Sequence, residues 1–81
     1  MTHEELEQAA QMYEAAAADL ERAAGHCRVA AEHYRNLRQA RGGVHAWAAR
    51  GHILDAELQL DEAARKQASK SLLPGDEGYV T

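Results

Sequence analysis

From Leu6 to Leu37 the apolar positions repeat every seven residues. Leu6, Tyr13, Leu20, Cys27 and Tyr34 form one row, and three residues after each stand Ala9, Ala16, Ala23, Ala30 and Leu37. Taken as positions a and d of a heptad, the two rows describe a coiled-coil seam. The next position, e, is alanine as well, at Ala10, Ala17, Ala24 and Ala31. After a break the pattern returns with Ala46, Ile53 and Leu60 at a, and Ala49, Ala56 and Ala63 at d. Large residues at a, set against small ones at d of an antiparallel partner, allow two backbones to approach closely. Alanine also has the highest intrinsic helix propensity.

The punctuation sets the expected boundaries. Thr2 followed by Glu5 fits a capping box, and Glu4, Glu5 and Glu7 suit the positive end of a helix dipole. No strong breaker follows until Gly42–Gly43, which can supply the left-handed conformation that ends a helix. Gly25 is tolerated on the way, at roughly 1 kcal/mol relative to alanine. The spacing predicts a first helix over about 2–40, a turn at 41–43, and a second helix over about 44–73, stopped by Pro74-Gly75. Residues 74–81, "PGDEGYVT", read as a short, acidic, flexible tail. A first helix of that length runs about 58 Å, and the short link returns the second alongside it. The expected fold is all-α: an antiparallel two-helix hairpin over 1–73, coiled-coil-like with an alanine-rich seam.

Trp47, Leu54 and Ala68 fall on the b side of the second helix, with Leu58 nearby, beside the alanine e row of the first. That flank is broad and apolar, and such patches usually mark interfaces. Its simplest use is self-association of two hairpins into a four-helix bundle, making a homodimer.

Composition supports the need for a partner. Of 81 residues 46% are apolar, but many of these are alanine; there is no Phe, one Trp and three Tyr, so a lone chain has little to bury. The single cysteine, Cys27, excludes an internal disulfide and suits a reducing compartment. "MTHEELEQ" lacks the apolar region of a secretory signal, and no run of about eighteen apolar residues could cross a membrane. A soluble, cytoplasmic protein is expected, without membrane contact. Seven arginines against two lysines, with abundant alanine, suggest GC-rich coding and hence a bacterial or phage source.

Charge is uneven. Residues 1–21 hold six acids and no Lys or Arg, whereas residues 22–50 hold six arginines and one acid, Glu32; the total is −4. A hairpin therefore carries a basic tip and an acidic open end. Arg35, Arg38, Arg41 and Arg50 are the candidate recognition residues there. A nucleic-acid-associated role is the alternative, but no aromatic interleaves the arginines and no helix-turn-helix pattern is present.

Five histidines are many for this length. His26 and His33 occupy g in the first helix, and His45 and His52 occupy g in the second. In an antiparallel pair the g rows flank one edge, so four imidazoles should line it, with His33 facing His45 or His52. Successive rings on one helix stand about 10.5 Å apart, too far to share an ion, and neither H-E-x-x-H nor C-x-x-C occurs. No metal or other cofactor is therefore expected; a metal-binding bundle through the histidine rows is a second alternative. Cys27, beside His26, is expected to be buried at an a position rather than to act as a nucleophile. There is no glycine-rich phosphate loop, no carboxylate pair in a cleft, and no enzyme activity is expected.

Long hairpins with a tryptophan near the turn share their topology with small secreted WXG-type proteins. Here Trp47 begins "WAA", and "PGDEGYVT" has no counterpart of their secretion motif, so the similarity ends at topology. The expected function is a small non-enzymatic protein–protein interaction module: an adaptor, inhibitor or accessory factor. Trp47, Leu54 and Leu58 would anchor an unidentified protein partner, and Arg35, Arg38, Arg41 and Arg50 would contact it at the tip.

Overall fold

The computed structural model describes the backbone of residues 2–70 and the side chains of residues 2–68. Within these residues two helices, α1 (His3–Arg35) and α2 (Gln39–Lys70), pack against each other as a hairpin, and there is no strand. The expected end of the second helix near residue 73 and the tail over 74–81 lie outside the described residues.

The start of α1 forms as the spacing predicts. The Thr2 hydroxyl accepts the Glu5 N–H at 3.1 Å, and the Glu5 carboxylate accepts the Thr2 N–H at 3.3 Å. Two of the first-turn donors that a helix leaves unpaired are thereby satisfied.

The reversal is not where the glycines are. α1 ends at Arg35, and the turn is Asn36–Leu37–Arg38 rather than 41–43. The Leu37 N–H donates to the Tyr34 carbonyl at 3.1 Å and the Arg38 N–H to the His33 carbonyl at 2.8 Å, the paired bonds of a Schellman motif. Leu37 takes the left-handed position, with φ 60. The Asn36 side chain reinforces the end by donating to the Glu32 carbonyl at 2.9 Å. Gly42 lies inside the first turns of α2, its N–H donating to the Arg38 carbonyl at 3.0 Å. The physical reason is the Tyr34 ring. A Cβ on Gly42 would meet the ring carbons at 2.8–2.9 Å. Gly42 therefore serves close approach, and the chain reverses before it.

Among the described residues, the buried apolar positions of the seam are all small. Ala16, Ala23 and Ala30 of α1 and Ala49, Ala56 and Ala63 of α2 are buried, together with Gly42. These six alanines belong to the expected d row, but two of its members do not join them: Ala9 is half-buried, and Leu37 stands exposed in the turn. The a row departs from expectation: Leu6, Tyr13, Leu20, Tyr34 and Leu60 are each a third or more exposed, and Cys27 is exposed too. Alanine-on-alanine contact draws the two helix axes together along the d line. Position a, four residues on, lies about 40° to one side, so a long side chain there passes the shoulder of its neighbour instead of filling a space between the helices. No large side chain of the described residues is fully buried.

A histidine file as candidate functional site

Position g lies on the other side of the seam, and the structure brings its polar residues inward. The g rows of α1 and α2 run antiparallel and interdigitate, so rings from the two helices alternate. In order along the edge stand His33 of α1, His45 of α2, His26 of α1 and His52 of α2. His33 and His45 stack with centroids 5.5 Å apart, which settles which partner His33 faces. His26 follows at 5.2 Å from His45, and His52 stacks on His26 at 5.5 Å and 11°. Interleaving halves the spacing that one helix alone would set.

His26 Nδ1 and His45 Nδ1 face each other at 2.9 Å, a hydrogen bond in which one ring donates and the other accepts. The file continues beyond His52 into Asp19, whose carboxylate is buried. Its Oδ1 accepts from Arg22 at 3.2 Å and lies 3.3 Å from His52 Nδ1, while its Oδ2 accepts from Gln59 at 2.9 Å. A buried carboxylate with three donors is well satisfied, where an unpaired one would be costly. Asp55, one turn after His52, completes a cluster: one ligand atom each from Asp19, His52 and Asp55 lie within 4.8 Å of one another.

At the tip end, the His33 imidazole is held below its ordinary value. Burial is the largest cause, followed by the positive charge of Arg38, by His45 and by Arg41, with Glu32 opposing them. Two buried polar atoms on this edge, His33 Nδ1 and Gln59 Oε1, find no hydrogen-bond partner among the described residues.

Asp19 and Gln59 were not singled out as site residues in the sequence, yet a signal was present. Asp19 stands seven before His26, and Gln59 seven after His52; extending each g row by one heptad reaches them. The residues expected at a partner surface are dispersed. Trp47 is 79% exposed and Leu58 67%, with Leu54 also exposed, on the outward side of α2. Arg35, Arg38 and Arg41 surround the turn and are exposed. Arg50 does not join them: twelve residues beyond Arg38, about 18 Å along the helix, it lies 3.7 Å from Glu57 in an exposed ion pair. Neither helix is long and apolar enough to cross a membrane. Comparison with known proteins finds no match: no protein-family profile, curated protein or solved structure corresponds to this chain.

Proposed function

We propose that this chain is a non-enzymatic protein-interaction module that works as a pair of hairpins, two copies forming a four-helix bundle. One observation carries the reading. The apolar a-row residues Leu6, Tyr13, Leu20, Tyr34 and Leu60 are exposed along one edge, with Ile53 half-buried, while the buried residues among those described are alanine and glycine beside Asp19. Charge favours a second copy in the opposite direction, because the basic tip around Arg35, Arg38 and Arg41 then lies over the acidic open end of its partner. In that arrangement Trp47, Leu54 and Leu58 stay outward, available to a further protein.

Light scattering over a concentration series tests the pairing. The wild type should show twice the 8.9 kDa chain mass. Leu20→Glu, which places a charge at the middle of the pairing edge, should give monomer, and Trp47→Ala should remain paired. A wild type that is monomeric at all concentrations refutes the bundle. A dimer that survives Leu20→Glu but fails in Trp47→Ala would move the interface to the outward face.

A further inference from the structure

We propose that the inner end of the histidine file binds a zinc-class divalent ion, with Asp19, His52 and Asp55 as ligands. The three side chains come from both helices, and their ligand atoms already lie within 4.8 Å of one another. His52 Nδ1 and Asp19 Oδ1 stand 3.3 Å apart. Two ligands on a tetrahedral zinc ion, with bonds of 2.0–2.2 Å, are separated by about 3.3–3.5 Å. The spacing of this pair therefore needs little change. One imidazole and two carboxylates are borderline-to-hard donors, suited to zinc and leaving a position open to solvent.

The surroundings resemble the support that metal ligands receive. Gln59 donates to Asp19 Oδ2 at 2.9 Å and fixes the carboxylate, while His26 stacks on His52 at 5.5 Å and fixes the ring. Gln59 Oε1 is a buried acceptor with no donor among the described residues. The Arg22 guanidinium opposes a cation, since it occupies Asp19 Oδ1 at 3.2 Å; its side chain is 60% exposed and free to withdraw into solvent. The ion would tie α1 to α2 at mid-hairpin, where the described residues bury no large side chain.

The alternative is an Asp19–His52 ion pair with no further role, and Asp55 separates the two. Asp55 is exposed and has no hydrogen bond or ion pair among the described residues, so a structural pair predicts that Asp55→Asn changes nothing. Zinc chloride is titrated calorimetrically into chelator-treated, untagged full-length protein. One ion per chain is expected, weakened at least about tenfold by Asp55→Asn and abolished by His52→Gln. Arg22→Gln should bind more tightly than wild type. Unchanged binding in Asp55→Asn, tighter or equal binding in His52→Gln, or no saturable binding in the wild type would each overturn the site. Should His52→Gln fail to fold, Asp55→Asn and Arg22→Gln still decide the question.

Discussion

Tyr34 and Gly42 allow the packing to be tested against helix propensity, because the two principles predict opposite results at different glycines. Gly25, Gly42 and Gly51 all lie inside helices. A Cβ at Gly25 or Gly51 meets nothing within 4 Å. Alanine there should simply recover the propensity difference, stabilising by about 0.8–1 kcal/mol each. At Gly42 the same methyl would stand 2.8–2.9 Å from three ring carbons of Tyr34, inside the distance at which carbon atoms attract. Tyr34 is 47% exposed, so its ring can swing outward, but it then loses its seat against the backbone. Overpacking of this kind costs about 1–3 kcal/mol. Set against a gain of about 1 kcal/mol, Gly42→Ala should be neutral to destabilising by about 2 kcal/mol. Urea unfolding followed by circular dichroism would measure the three single variants and Tyr34→Ala, alone and combined with Gly42→Ala. Without the ring, Gly42→Ala should become stabilising by about 1 kcal/mol. If Gly42→Ala stabilises the wild type as much as Gly25→Ala does, and Tyr34→Ala leaves that value unchanged, the ring does not rest on the glycine. The explanation for the position of the turn would then fail as well.

Two further outcomes follow from the tip. Leu37 holds a left-handed backbone at φ 60 with its side chain 92% exposed, so Leu37→Gly removes strain and no packing. It should stabilise by about 0.5–1 kcal/mol despite the greater freedom of glycine in the unfolded chain; a loss in thermal midpoint would contradict the Schellman geometry. The His33 imidazole titrates below its ordinary value in the folded chain, for burial first and then for Arg38, His45 and Arg41. Between the folded and the ordinary values, near 6.5, the unfolded state binds the additional proton, so stability from this group is full above that range and falls as pH is lowered through it. The thermal midpoint, measured in chelator from pH 7.5 downward, should decrease, and His33→Gln should remove part of the decrease; an equal slope in both proteins would refute the role of His33.

The features legible in the sequence were those that depend on period alone. The capping box needs only Thr2 and Glu5 three residues apart, and the alanine d row needs only a seven-residue repeat, so both appear as expected. The two histidine rows share an edge for the same reason. What the repeat does not contain is the distance between axes. Alanine at d brings the helices so near that position a moves out and position g moves in. Leu20 and Cys27 thus become surface residues, and Asp19, an acid by composition, becomes buried. The turn was hidden by a competition that local propensity cannot decide. Gly42 is the better turn former, but Tyr34 needs the space above it, and the reversal falls on Asn36 and Leu37 instead. The alternation of rings was likewise beyond single-helix arithmetic, which spaces His26 from His33 but does not place His45 between them.

The two proposals occupy opposite sides of the alanine line, and that separation makes them independent. Positions a and g lie about 100° apart on each helix, with the d row between them, so a second copy seated on Leu20 does not touch His52. Leu20→Glu should therefore abolish pairing while zinc titrates as in the wild type, and Asp55→Asn should weaken zinc while the molar mass stays doubled. A different coupling would be informative in a specific direction. Zinc binding lost together with the dimer in Leu20→Glu would mean that the ligands are drawn from two chains. The cluster of Asp19, His52 and Asp55 within one hairpin would then not be the site, however well its distances match an ion. Retained binding in a demonstrated monomer excludes that arrangement and leaves the ion between the two helices of one chain.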